Sequence, residues 1–252
     1  FRAEVDNDLP PEESYAGPYY WQARSYDSYQ DGQWSTTDTT KEKYKANDDP
    51  FNYPDWKGRE TYDLTIYPAQ ALEGTIYSPA YPLNISRPVN AVIRTYPDKT
   101  TEVIGLMGNP PLRAGESYKL KVSVSAPTAR QLLEAGEDYP EYISSVYLQL
   151  PKNLPSRMYL LAKQLTVDKD TPFEKTIAIT NYLREEITYQ ESIDLPPPGS
   201  EPLDWFLFDY KAGFCNYYAS SEVILLRILG IPARLAVGYA EGSANQQRNN
   251  FI

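Results

Sequence analysis

The sequence predicts an α+β protein, with an antiparallel β-rich region in the first part of the chain and helices in the last part. Between residues 61 and 125, segments of alternating apolar and polar residues recur with no helical pattern between them. Such segments are typical of half-buried strands in an antiparallel sheet or sandwich. From residue 155 onward the apolar residues recur at helical spacing instead. We therefore predict a β-rich domain with a short bridging helix over residues 1–152, and a second domain over residues 153–252.

Composition and charge narrow the class of protein and the kinds of partner that it can bind. The 252 residues contain 23 tyrosines and 22 prolines, which favours a β-rich, loop-rich and partly extracellular protein over a helical bundle. A net charge of -10 argues against nucleic acid or anionic lipid as a partner, because both need a basic face. The sequence has no apolar run of eighteen residues, so it predicts neither a membrane span nor a signal peptide.

The first part of the chain reads as a lead-in followed by aromatic strands. Residues 1–18 are rich in carboxylates and prolines, which indicates a solvated segment rather than a folded element. Residues 19–34 are aromatic and strand-like, and Asp31-Gly32 offers a hairpin turn. Residues 36–56 are polar, so we expect a long loop with little regular structure.

The strand predictions rest on period-two alternation. Residues 61–66 and 118–125 each place apolar side chains on one face and polar ones on the other. Residues 91–96 and 101–106 flank Pro97–Thr100, a plausible hairpin turn.

Helices follow the strands. A short helix through Gln131 and Leu133, ended by Gly136, bridges to a helical pattern over residues 155–165. Thr171, Pro172 and Glu174 form a capping-box sequence with proline at the first helical position, which predicts another helix start. The apolar face of that helix is Ile179, Leu183 and Ile187.

The only cysteine precedes the most apolar helix. Residues 223–229 are apolar apart from Arg227, and Gly230 followed by Ile231-Pro232 ends the pattern. Cys215 therefore lies at or near a helix N-terminus, where unpaired N–H groups and the helix dipole favour the nucleophilic thiolate. By position alone, a small buried apolar residue is the better explanation of a lone cysteine, and the pattern around the thiol changes that balance.

Three motifs around this cysteine carry a family resemblance. Gly213-Phe214-Cys215, Gly230–Arg234 and a strand ending in Gly238-Tyr239 resemble the core motif of the transglutaminase-like superfamily. Residues 26–34, read as Y-D-x-Y-x-D-G-x-W, are similar to a segment of bacterial membrane-anchored transglutaminase-like proteins, some of them described as cysteine proteases.

The resemblance implies several properties. It implies a papain-like core, a Cys-His-Asp triad with Cys215 as the catalytic nucleophile, and a peptide or protein substrate. It implies no cofactor and no metal. It also implies an extracytoplasmic location, with membrane anchoring through segments outside this sequence.

The sequence departs from the family at the histidine, because it contains none. We expect that the transglutaminase-like core is truncated at the C-terminus within the polar stretch 241–250, and the alternative is a member that has lost catalysis. Cysteine acyl transfer on peptide amides is the leading function. A non-catalytic module that binds a peptide or cell-wall fragment is the alternative, and a purely structural extracellular domain is a third reading.

Two aromatic residues upstream of the cysteine are candidates for the oxyanion-stabilising aromatic of transglutaminases, namely Tyr189 and Trp205. The apolar run around Trp205, residues 203–208, is explained first as core packing. The stiff segment Pro196–Gly199 is a candidate rim of the active-site cleft.

The charged candidates are weaker. Arg234 could orient the cleft, or it could form a surface salt bridge. Asp168 and Asp170 supply too few oxygen donors to predict a metal site. Glu185 and Glu186 point in different directions from a helix, so a solvated face explains them better than an acid–base pair.

Overall fold

A computed structural model describes residues 2–5, 20–54, 56–68, 74–79, 81–240, 244–245 and 250–251. The described residues form two compact units. The β unit takes its residues from Phe1–Ser25, Asp38–Leu132 and Ala236–Ile252. The helical unit takes its residues from Tyr26–Thr37 and Leu133–Leu235.

The strands are, in chain order, β1 Arg2–Val5, β2 Trp21–Tyr26, β3 Ser28–Gln30, β4 Gln33–Ser35, β5 Thr40–Tyr44, β6 Arg59–Tyr67, β7 Tyr81–Ile85, β8 Val89–Thr95, β9 Thr101–Gly108, β10 Tyr118–Ser125, β11 Thr188–Tyr189, β12 Ala212–Gly213, β13 Leu235–Tyr239, β14 Ala244–Asn245 and β15 Asn250–Phe251. The helices are α1 Ala129–Glu134, α2 Glu141–Tyr147, α3 Ser156–Leu165, α4 Pro172–Glu186, α5 Pro202–Asp204 and α6 Cys215–Ile228, with a π-helical turn over Trp205–Tyr210. The α+β class is therefore confirmed.

Two antiparallel sheets build the β unit around one hydrophobic core. One sheet has the order β14-β15-β1-β6-β10-β7 and the other β13-β2-β9-β8-β5. The predicted alternation is present in β10, where Tyr118, Leu120 and Val122 are buried and Lys119 and Lys121 are exposed. The predicted hairpin is also confirmed, because β8 pairs with β9 across the 97–100 turn.

Two loop predictions in the β unit are wrong. Arg2–Val5 is a strand paired with β6, and its Ala3 side chain is fully buried, although residues 1–18 were predicted to be unfolded. Thr40–Tyr44, within the predicted loop 36–56, is an edge strand paired with β8. Four of its five side chains are exposed, so its polar composition resembles a loop. Residues 6–18 of the predicted lead-in, residue 19 of the aromatic segment, and residues 241–243 and 246–249 of the polar stretch lie outside the described residues.

Helices α3, α4 and α6 share the core of the helical unit. The capping box at the start of α4 is confirmed, since Thr171 N–H donates to Glu174 Oε2 at 3.0 Å and Glu174 N–H to Thr171 Oγ1 at 3.2 Å. The predicted apolar face is buried, with Ile179 and Leu183 in α4 and Ile187 directly after it. Helix α2 was not predicted.

The hairpin β3–β4 is part of the helical unit, although it lies between segments of the β unit in the chain. Its predicted turn is confirmed, with φ of 50° at Asp31 and 78° at Gly32. Tyr29 Oη donates to Glu201 Oε1 at 2.8 Å, and Trp34 Nε1 donates to Ser220 Oγ at 2.8 Å. The segment that carried the second resemblance is therefore bound to the elements around the cysteine. The domain boundary between residues 152 and 153 stays a prediction, because these contacts describe packing and not independent folding.

Candidate active site

Cys215 is the first residue of α6, and its side chain is exposed to solvent. The helix-terminal position predicted for it is confirmed, and the buried apolar alternative is wrong. The N–H groups of Tyr217 and Tyr218 make the first bonds of the helix, to Phe214 O at 2.9 and 3.3 Å. The N–H groups of Cys215 and Asn216 come before these bonds, so they have no intrahelical acceptor. The exposed thiol therefore belongs to a residue whose own N–H, like that of Asn216, has no acceptor within the helix.

A short parallel strand pair holds the backbone that leads into Cys215. Strand β12, Ala212–Gly213, pairs with β11, Thr188–Tyr189. Thr188 N–H donates to Lys211 O at 3.0 Å, and Gln190 N–H donates to Gly213 O at 2.7 Å. The chain is thereby fixed on both sides of β12 immediately before the cysteine.

Gly213 is required by a close approach and not by its backbone angle, since its φ lies outside the left-handed region. A Cβ at this position would lie 2.7 Å from Cε2 and 2.9 Å from Cδ2 of Phe206. Phe206 is fully buried and packs against the rings of Tyr217 and Tyr218, at 5.2 and 5.4 Å between centroids. The glycine of the G-F-C motif thus makes room for the ring that supports the start of α6.

Phe206 belongs to the π-helical turn Trp205–Tyr210, in which Lys211 N–H donates to Phe206 O at 3.0 Å. Lys211 then has a φ of 53°, in the left-handed region, and the chain passes into β12. No sequence signal that we used indicated this turn. The prediction that residues 203–208 are core is confirmed for Leu203 and for residues 205–207.

A guanidinium fork from α3 holds the two ends of this segment. Arg157 Nε and Nη2 each donate to Asp204, both at 2.6 Å. Its Nη1 and Nη2 donate to Asp209 at 3.1 and 2.7 Å. Hydrogen bonds from Arg157 lower the pKa of the Asp209 carboxyl, and hydrogen bonds to both carboxylates raise the pKa of Arg157. The fork was missed at the sequence level because its members are far apart in the chain.

The structure separates the two aromatic candidates. Tyr189 lies opposite Gly213 in the β11–β12 pair, its side chain is 59% exposed, and its ring lies 5.9 Å from that of Tyr218. Trp205 is 7% exposed and stacks on Tyr210 at 4.4 Å. Tyr189 is thus beside the segment that leads into Cys215 and open to solvent, whereas Trp205 is core.

The buried arginine of this region is Arg227 and not Arg234. Arg227 Nε donates to Ala233 O and Nη1 to Gln149 O, both at 2.8 Å, and burial lowers the pKa of the guanidinium to about 10. It thereby joins α6 to the segment that follows it and to the end of α2. Arg234 lies over the ring of Tyr147, with its Cζ 5.9 Å from the centroid.

The remaining candidates are surface groups. Asp168 forms an ion pair with Lys169 at 2.9 Å, and Glu185 and Glu186 are both exposed. In the described ranges, no three His, Cys, Asp or Glu side chains are grouped in a way that could hold a metal ion. Within the same ranges, no helix has both the length and the apolar character needed to cross a bilayer.

Comparison with known proteins locates the family signal in the second part of the chain. Residues 160–251 match the model of the transglutaminase-like superfamily. Over 108 residues the chain is 41% identical to the uncharacterized protein YebA of Bacillus subtilis strain 168, an alignment that covers 42% of this chain and 15% of that protein. Over 105 residues it is 33% identical to a protein named protein-glutamine gamma-glutamyltransferase from Pseudomonas aeruginosa. That alignment covers 42% of this chain and 16% of that protein.

The fold comparison extends over nearly the whole chain. The structure is similar to the crystal structure of the periplasmic domain of TgpA from Pseudomonas aeruginosa, with a TM-score of 0.60, and the match covers 99% of this chain and 77% of that one. The identity of the two is 23%, so this likeness concerns the fold. The family match includes Cys215 and both motifs that follow it. Residues 160–251 therefore form a transglutaminase-like domain by their match to this family model.

Proposed function

We propose that Cys215 is the nucleophile of a cysteine acyl-transfer reaction on peptide amides. The thiolate attacks the amide carbonyl carbon, the C–N bond breaks, and the amine leaves after it takes up a proton. The resulting thioester is then attacked by a second amine or by water, which gives transamidation or hydrolysis and releases the thiolate. The substrate is a peptide or protein, and no cofactor takes part.

The observation that carries this proposal is the exposed thiol of Cys215 at the start of α6. The free N–H groups of Cys215 and Asn216 are suited to hold the oxyanion of a tetrahedral intermediate, and a donor of this kind typically lowers the barrier by about 3 to 4 kcal/mol. Tyr189 is open to solvent on the neighbouring strand and is the candidate for a further oxyanion donor. The match of residues 160–251 to the transglutaminase-like superfamily model supports the same proposal.

The 252 residues contain no histidine, so they supply no imidazole as the general base of this reaction. In the proposed reaction this base comes from residues outside this sequence. The alignments span 15% and 16% of the two curated relatives, so the activity of the whole protein is part of the proposal. We place the domain on the extracytoplasmic side of a membrane-anchored protein, in keeping with its similarity to a periplasmic domain.

The same absence of histidine favours a second candidate function. In that case the domain binds a peptide or cell-wall fragment without turning it over. The two functions differ in what Cys215 contributes, since binding needs no thiol.

The full-length protein that contains this chain should be assayed for incorporation of a fluorescent amine into a glutamine-containing peptide, and for hydrolysis of that peptide. We expect Cys215→Ala to abolish both reactions while circular dichroism and the melting temperature stay unchanged. Glu185→Gln is the matched control, because Glu185 is an exposed residue of α4 that takes no part in the contacts described around Cys215.

Turnover that survives in Cys215→Ala contradicts the acyl-transfer proposal. Absence of turnover in the wild type, together with equal peptide affinity of wild type and Cys215→Ala, supports the binding function instead.

A further inference from the structure

We propose that Arg157 is a positioning residue for Cys215, acting through the π-helical turn Trp205–Tyr210. The inference rests on the proposed function of Cys215, since it names what holds that nucleophile in place. Arg157 itself touches neither Cys215 nor the N–H groups that precede the first bonds of α6. Its effect is transmitted by three contacts that follow one another in space.

The first contact is the fork itself. Arg157 binds Asp204, which directly precedes the turn, and Asp209, which lies in its last residues, through donor–acceptor distances of 2.6 to 3.1 Å. Its guanidinium carbon also lies 4.5 Å from the ring centroid of Phe208, inside the same turn. A planar guanidinium bound to two carboxylates fixes their separation, which a flexible lysine ammonium does not do. The fork therefore fixes the distance between the two ends of the turn. The backbone hydrogen bond of this turn joins Lys211 N–H to Phe206 O, five residues earlier, and such π-helical bonds are rare.

The second contact passes from the turn to the strand before the cysteine. The turn places the ring of Phe206 so close to Gly213 that an added Cβ would lie 2.7 Å from it. The same turn ends in the left-handed Lys211, whose carbonyl accepts the Thr188 N–H that begins the β11–β12 pair. A change in the span of the turn would shift both the support and the starting point of β12.

The third contact passes from Phe206 to the first turn of α6. Its ring packs on Tyr217 and Tyr218, two and three residues after Cys215. Tyr218 Oη in turn donates to Ile187 O at 2.7 Å, next to β11. One buried ring thus supports both the strand before Cys215 and the helix that begins with it.

Two variants test this chain of contacts in the full-length protein. Arg157→Lys keeps the charge and loses the fork, and Asp209→Ala releases the end of the turn while Asp204 stays bound. Glu137→Gln is the matched control, because Glu137 also forms an ion pair in the helical unit, with Lys175 at 2.8 Å, and neither residue belongs to the turn. The 252 residues contain a single cysteine, so iodoacetamide alkylation that mass spectrometry assigns to the peptide around residue 215 reports on Cys215.

We expect kcat of both variants to fall by about tenfold or more with KM within about twofold, because small misplacements of a reacting group reduce turnover and not binding. We also expect the alkylation rate of the folded protein to differ from that of the wild type by about two- to fivefold, because a displaced start of α6 changes the surroundings of the exposed thiol. Glu137→Gln should match the wild type in both measurements.

The inference is overturned if Asp209→Ala, while fully folded, has the same kcat and the same alkylation rate as Glu137→Gln. A wild type without turnover would instead overturn the proposed function. In that case the alkylation rates still decide whether the fork positions Cys215, so the two failures can be told apart.

Discussion

Different kinds of contact stabilise the interior of the β unit and the interior of the helical unit. In the β unit, rows of backbone hydrogen bonds join strands that are neighbours in a sheet, such as the eight-residue pairing of β6 with β10. In the helical unit, single side-chain contacts join segments far apart in the chain. The Tyr29–Glu201 and Trp34–Ser220 hydrogen bonds span 172 and 186 residues. Strand pattern and turn chemistry therefore specify much of the β unit, whereas individual polar side chains specify the surroundings of Cys215.

The β unit also contains a buried ion pair. Arg94 Nη1 donates to Glu102 Oε2 at 2.9 Å, and Tyr96 Oη donates to the same oxygen at 2.7 Å. The side chains of Arg94 and Glu102 are 4% and 7% exposed. This pair joins β8 to β9 beside their hairpin, so the β unit also depends on a specific polar contact there.

Breaking that pair should produce the largest effect. Glu102→Leu leaves the buried Arg94 guanidinium without this carboxylate, and we expect a loss of about 3–5 kcal/mol in the free energy of unfolding. Urea unfolding followed by tryptophan fluorescence measures it. The double variant Glu102→Leu with Arg94→Met should recover most of the loss, because a buried pair replaced by apolar residues is often neutral. If Glu102→Leu is as stable as the wild type, the ion pair is not needed and the backbone hydrogen bonds between strands are sufficient to hold the β unit.

A smaller effect is expected from a methyl group at Gly213. Gly213→Ala forces the buried Phe206 ring to move, and overpacking of this kind typically costs about 1–3 kcal/mol. Thermal unfolding of Gly213→Ala, Phe206→Leu and the double variant forms a mutant cycle. We expect the double variant to lose less stability than the sum of the single ones, since the smaller side chain makes room for the methyl. Additive losses would show that the glycine is not needed for this ring.

The smallest effect concerns pH. Burial raises the pKa of Glu201 above its ordinary value, although the hydrogen bond from Tyr29 opposes this. The folded state therefore retains a proton on Glu201 over a pH range in which the unfolded state has lost it. Stability from this group is fully present below the unfolded pKa, near 4.5, and is lost as pH rises through the folded pKa.

We therefore expect the wild type to lose stability relative to Glu201→Gln as pH rises from about 4 through this range. Chemical unfolding at a series of pH values gives the difference. A difference that stays constant, or that grows in favour of the wild type with rising pH, would contradict the raised pKa.

The sequence predicted the elements with strong periodic or capping signals and missed those without them. The alternation in β6 and β10, the Asp31-Gly32 turn and the Thr171–Glu174 capping box all have local causes, and all are present. Strands β1 and β5 were missed because one is too short for a pattern and the other is a polar edge strand. For the site, the sequence located Cys215 at the start of its helix, but it did not distinguish Tyr189 from Trp205.

The sequence by itself determined the α+β class, the position of Cys215 and the family resemblance, because periodicity, caps and short motifs depend on neighbouring residues. Only the tertiary structure decided which side chains support the cysteine. The fork from Arg157 to Asp204 and Asp209 and the hairpin that reaches Glu201 and Ser220 join residues distant in the chain, and a π-helical turn brings Phe206 beneath Gly213. Their meeting depends on how the whole helical unit packs, and no local pattern records it.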